Sequence, residues 1–232
     1  MVKAADLTSQ ARYLAPMKMH ITNRRYSSWS LRGWLAAKQS GLPIEEVFVD
    51  IYADDWAEVR QSGVYGVAAG KVPVLEDGDS VIWNAIAIIE WLDAKSGRTR
   101  FWPAGGPARA YALSAAVEMQ AGFMALRQAC PMNCMRHYPG WTLAAEAEAD
   151  VARVQALWES GLAQFGGPWL AGKEWGAVDI LFAPVVSRLT TYDVKLSPVA
   201  DDYRKRAMAH PLVAEWVAEA AKETTIKANY EF

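Results

Sequence analysis

The chain has little of what metal sites, disulfide scaffolds and membrane spans require. Its 232 residues include two cysteines, Cys130 and Cys134 in "CPMNC", too few for a disulfide framework and too few to complete a metal site. The three histidines, His20, His137 and His210, are scattered singly and form no ligand spacing such as H-x-x-x-H. These shortages argue against a metal. No apolar segment reaches the roughly 18 to 20 uninterrupted residues of a spanning helix, and "MVKAADLTSQARYLAP" lacks the apolar core of a secretory signal. A cytoplasmic protein with no membrane partner is expected. The formal charge of -2, without any Lys/Arg tract, supplies no basic field for nucleic acid.

What is present is apolar material in quantity and a change of pattern halfway along. Eleven tryptophans suit cores, interfaces and aromatic pockets alike. The first half alternates short strand-like runs with helical ones. "MKMHIT" (17–22) reads as a strand, 28–40 as an amphipathic helix ended by Gly41 and Pro43, and "EEVFVDI" (45–51) as a second strand. After a stretch rich in Gly and Ala, "KVPVLED" and "SVIW" flank the turn "DGD", a hairpin signal. "NAIAIIEWLDAK" (84–95) then has helical spacing with Asn84 as N-cap. The order predicted is β-α-β-(α)-β-β-α. From about Arg98 strand signals fade, and a Gly/Pro-rich connector leads to Ala-rich helical stretches over 107–128, 142–165, 177–190, 198–208 and 211–223.

Several segments resemble the glutathione S-transferase family. "GKVPVLEDGDSVIWNAIAIIEWL" (70–92) is similar to the family's pre-proline strand, hairpin and third helix. "YSSWSLRGWLAAKQSGLP" (26–43) resembles the first helix of the serine-type bacterial members, with a zeta-like Ser-Ser order. "PWLAGKEWGAVDILFAPVVSRL" (168–189) resembles the signature helix of the second domain. The resemblance implies an α+β two-domain fold: an N-terminal extension over 1–17, a thioredoxin-like α/β glutathione-binding domain over 18–97, a linker over 98–106 and an all-α helical domain over 107–232. It also implies a homodimer.

The resemblance carries over to particular residues. It implies a cis Val72-Pro73 bond that turns the Val72 backbone toward a peptide ligand, with Lys71 beside the glycyl end of glutathione. The N-H groups that open the helix after Asn84 and Ala85 form an anion site for the γ-glutamyl carboxylate. Here the sequence departs from the family, which usually has Glu, Asp or Gln followed by Ser. The missing hydroxyl weakens glutathione binding by about 1.5 to 3 kcal/mol. Gly176 stands where the family's helix cap is Ser or Thr, a change of only a few tenths of a kcal/mol.

Ser27 and Ser28 are the catalytic candidates. From the pattern alone either is a helix cap; in the family register Ser27 faces the glutathione sulfur and its hydroxyl favours the thiolate, Ser28 being second and Tyr26 third. Trp29, Met119 and Phe123 are the candidate walls of the second-substrate pocket, although residues at such spacing also build cores. The implied activity is attack of the glutathione thiolate on a small, apolar electrophile, or the related lyase or cis-trans isomerase chemistry. The alternative is a binding or scaffold protein that has lost glutathione.

Overall fold

The computed structural model describes residues 16–61, 68 and 70–232. Most of the N-terminal extension, and part of the Gly/Ala-rich stretch after 61, lie outside the described residues. The first unit is a four-stranded mixed sheet of β1 (Met17–Ile21), β2 (Ile44–Phe48), β3 (Val74–Asp77) and β4 (Ser80–Trp83) in the order β2-β1-β3-β4. β1 runs parallel to β2 and antiparallel to β3, and β3 and β4 form the hairpin expected around "DGD". Three helices belong to this unit: α1 (Ser28–Ser40), α2 (Trp56–Gln61) and α3 (Ala85–Lys95). This is the thioredoxin-like arrangement.

Local chemistry fixes where α1 lies. Ser27 caps its N-terminus, its Oγ accepting the Ser30 N-H at 3.2 Å. Gly41 ends it in the left-handed region at φ 67°, donating to the Lys38 carbonyl, as a C-terminal glycine commonly does. A Cβ at Gly33 would stand 2.4 Å from Cβ of Pro73, well inside any van der Waals distance. Only glycine therefore lets α1 lie against the loop that carries the cis Val72-Pro73 bond. That contact brings Ser27 and the proline loop to one end of the sheet.

The second unit is helical: α4 (Gly106–Ala121), α5 (Met124–Ala129), α6 (Ala145–Phe165), α7 (Ala177–Thr191), α8 (Pro198–Met208) and α9 (Pro211–Ala221), with a 3₁₀ turn at Ala228–Tyr230. The continuous helix expected over 107–128 is broken. Gly122 is extended and Phe123 is left-handed at φ 61°, and the Arg127 side chain takes up the freed carbonyls of Gly122 and Met119 at 3.0 and 2.6 Å. Glycine's low helix propensity makes this the weak point. α7 is the central helix, buried along almost its whole length and packed on α1 and α4. Asp179 anchors its start. One carboxylate oxygen accepts the Gly176 N-H at 3.1 Å, and the other accepts the Leu170 N-H and the Tyr203 hydroxyl, each at 3.0 Å.

The last residues of the chain return to the first loop. Glu223 accepts from the backbone N-H groups of Arg24 and Arg25, and Glu231 accepts from the Tyr26 hydroxyl at 2.8 Å. Among the described residues no helix is long and apolar enough to cross a membrane.

Candidate functional site

Two adjoining cavities open at the N-terminus of α1. The larger, of about 510 Å³, is lined by Ser27, Trp29, Lys71, Val72, Pro73 and Asn84 among others. The smaller, of about 380 Å³, shares Ser27 and Trp29 with it and reaches Ser28, Arg127, Arg188 and Tyr230. Both volumes fall in the range of small-molecule sites. The residues named for the larger cavity come from three places in the sequence, and each has a structural reason to be there. Ser27 is the cap of α1, Val72 and Pro73 form the loop wedged against Gly33, and Asn84 caps α3.

Ser27 does two things at once. Its Oγ holds the Ser30 N-H and lies 2.9 Å from the Ser30 Oγ, which in turn accepts the Thr22 N-H at 3.0 Å. A hydroxyl both donates and accepts, so Ser27 can give its hydrogen to Ser30 or, with Ser30 donating to it, turn it into the cavity. Ser28 is buried, and its Oγ accepts from Arg188 Nη2 at 3.4 Å. The Tyr26 hydroxyl is committed to Glu231 and to the Lys227 N-H, and burial raises its pKa. It is ill placed to activate a thiol.

Asn84 is held at φ 65° and ψ 146°, a conformation nearly confined to glycine and costing about 1 to 3 kcal/mol. Its side chain caps α3 by accepting the Ala87 N-H at 3.4 Å. Such strain at a cavity wall is characteristic of ligand sites. Ala85 follows Asn84 as the first residue of α3. Its methyl group is fully buried in the core, so this residue can serve a ligand only through its backbone.

The expected pocket walls divide. Trp29 lines both cavities. Met119 and Phe123 line neither: both are buried in the core, Phe123 against the ring of Phe182 and Met119 with its sulfur 3.0 Å from Arg32 Nη2. Apolar residues at helical spacing on α4 face the helices of the bundle, which is the ordinary outcome of that pattern.

Sequence reasoning missed the arginines. The guanidinium groups of Arg32 and Arg127 both lie over the Trp29 ring, 4.5 and 5.4 Å from its centroid. Arg188 reaches the same cavity from α7. Burial together with the neighbouring guanidinium charges pushes Arg32 well below the usual arginine range and Arg188 down to about 10. The available signal was an arginine inside each of two otherwise apolar helical runs, "SWSLRGWL" and "FAPVVSRL". The thiols are in the opposite condition. Burial pushes Cys130 up to about 11 and Cys134 up to about 12, leaving neither a ready nucleophile. Among the described residues no cluster of His, Cys, Asp and Glu could hold a metal ion.

Residues 26–95 match the N-terminal domain of the glutathione S-transferase family. No curated protein matches the chain significantly. Among solved structures, a glutathione transferase homolog from Burkholderia gl BGR1 with bound glutathione superposes with a TM-score of 0.65 at 20% identity, covering 89% of this chain and 98% of its own. A diazinon-metabolizing glutathione S-transferase of the silkworm Bombyx mori gives a TM-score of 0.70 at 16% identity, covering 90% and 98%. A glutathione transferase of Methylococcus capsulatus str. Bath gives 0.60 at 20% identity, covering 88% and 98%. The chain therefore has the fold of the glutathione transferases, a thioredoxin-like unit followed by a helical one, with their N-terminal domain matched over residues 26–95.

Proposed function

We propose that this protein is a glutathione transferase-like enzyme that binds glutathione in the larger cavity and directs its thiolate at a small electrophile in the smaller one. The observation that carries this reading is the convergence of Ser27, the cis Val72-Pro73 loop and the strained Asn84 on one cavity at the head of α1. The proline loop offers the Val72 backbone to a peptide. Asn84 and the free N-H groups at the start of α3 suit a carboxylate, and Lys71, on the same cavity, suits the glycyl end. Ser27 stands at the positive end of α1, where a hydroxyl donor and the helix dipole both favour thiolate over thiol.

In this reading residues 18–97 form the glutathione-binding domain, 98–106 the linker and 107–232 the helical domain. The enzyme works as a homodimer, paired through α3 and α4, where Val117 is 57% exposed beside a cavity lined by Ile86 and Ala87. Conjugation is the leading reaction, with lyase or isomerase chemistry as variants on the same thiolate.

Calorimetric titration with glutathione, paired with the ultraviolet absorbance of the thiolate as pH is raised, tests the proposal. Saturable binding with a thiol pKa below that of free glutathione is expected. No binding at millimolar glutathione would leave the scaffold reading in its place.

A further inference from the structure

The smaller cavity holds positive charge that the protein itself does not answer. Arg188 is 7% exposed. Its Nε donates to the Cys130 carbonyl at 2.8 Å and its Nη2 to Ser28 at 3.4 Å, while Nη1 is buried without a partner. Arg127, half-buried on the same cavity, uses Nε and Nη2 on the carbonyls that end α4. Behind them Arg32 is fully buried and bonds only neutral groups: the carbonyls of Leu181 and Ser28 and the sulfur of Met119. Among the described residues none of the three forms an ion pair. Asp150 acts on Arg127 from a distance, but its Oδ2 is bonded to the Leu126 N-H.

Buried charges are normally paired, because an unpaired one carries a desolvation cost of several kcal/mol. A cluster of guanidinium groups with an unused donor, two of them on the wall of a cavity, is stabilised by an anion that enters it. The remaining walls fix the rest of the ligand. Trp29, Ile51, Pro131 and Met132 offer an aromatic and aliphatic surface for a flat apolar body. The planar fork of an arginine matches a carboxylate better than it matches a point charge.

We propose that the smaller cavity is a carboxylate site formed by Arg127 and Arg188 with Arg32 behind them. Resting on the glutathione reading above, this makes the co-substrate an electrophile with an apolar body and a carboxylate, held so that its reacting carbon faces Ser27. For a chloronitrobenzoate the step balances simply. The thiol proton goes to solvent, the sulfur supplies the electron pair of the new S-C bond, and chloride leaves with the pair of the broken C-Cl bond.

The test has two arms. In the first, wild-type protein without glutathione is titrated calorimetrically with benzoate, benzamide and phenylphosphonate. Benzoate is expected to bind at least about tenfold more tightly than benzamide, the worth of one hydrogen bond to a charged group. Equal binding of the two, or tighter binding of phenylphosphonate than of benzoate, overturns the assignment. In the second, kcat/KM is measured with glutathione for 4-chloro-3-nitrobenzoate and for its methyl ester. The acid-to-ester ratio should fall about tenfold or more in Arg127→Gln and in Arg188→Lys, through KM; an unchanged ratio in both overturns the proposal. Benzoate binding without turnover of either electrophile would support the carboxylate site while refuting the glutathione chemistry.

Discussion

The Oγ atoms of Ser27 and Ser30 stand 2.9 Å apart, and Ser30 also holds the Thr22 N-H of the chain leaving β1. One hydroxyl pair thus joins the cap of α1 to the sheet beneath it. The two serines should respond differently to removal. Ser27→Ala is expected to raise the pKa of bound glutathione by about one to two units, the equivalent of a hydrogen bond to a charged group, and to slow conjugation with little change in glutathione affinity. Ser30→Ala strands a buried N-H and should lower stability by about 1 to 3 kcal/mol with a smaller effect on the thiol. Thiolate absorbance against pH and urea unfolding separate the two. A larger pKa change in Ser28→Ala than in Ser27→Ala would move the thiol contact one residue along.

Asn84 is strained where the candidate glutathione site needs it. Asn84→Gly releases about 1 to 3 kcal/mol of backbone strain against a glycine entropy cost of about 0.5 to 1 kcal/mol and a small loss of capping. The variant should be more stable than wild type by about 1 kcal/mol and bind glutathione several-fold more weakly. Thermal unfolding and calorimetry read these two effects, and a variant that loses stability would show that the side chain outweighs the strain.

Asp179 gathers three donors in a buried place, the N-H groups of Gly176 and Leu170 and the hydroxyl of Tyr203. Asp179→Ala leaves them unpaired together. A loss of about 3 kcal/mol or more is expected in urea unfolding, the size typical of breaking a buried network.

His210 stacks on Trp175 at 4.1 Å between centroids, and its Nδ1 accepts the Leu212 N-H at the start of α9. Burial lowers its pKa from the ordinary 6.5. The unfolded chain therefore takes up the proton more readily, and this histidine's contribution to stability is present above about pH 6.5 and lost as pH falls through and below that value. His210→Asn, which keeps a capping oxygen but does not titrate, should flatten that part of the stability profile between pH 7.5 and 5.5. An unchanged slope would place the titration elsewhere.

The proposed dimer predicts a solution mass of twice 25.6 kDa by light scattering at micromolar concentration. Val117→Glu, on the exposed face of α4, should shift it toward the monomer.

Local signals made much of this fold readable. Ser27 and Gly41 bracket α1, "DGD" turns the β3-β4 hairpin, and Asn84 caps α3, because capping and turn chemistry act within a few residues. What was not readable depended on contacts far apart in sequence. The break at Gly122 and Phe123 is completed by the Arg127 side chain, and Met119 and Phe123 look like pocket walls until Arg32 of α1 and Phe182 of α7 meet them. The arginine cluster joins residues 32, 127 and 188, brought together by packing and not by any periodicity.

The tail contacts with Arg24, Arg25 and Tyr26 bear on how the site is assembled during synthesis. Domains generally fold as they emerge, N-terminal first, so the sheet and α1 can form early. The loop just ahead of Ser27, however, takes its anchors from Glu223 and Glu231, some two hundred residues later in the chain. Until those residues have been made, this loop lacks its anchors, and Tyr230 is missing from the wall of the smaller cavity. The sheet and α1 can thus be in place before the wall of the smaller cavity is complete, and removal of Tyr230 and Glu231 would return the first loop to that unfinished condition.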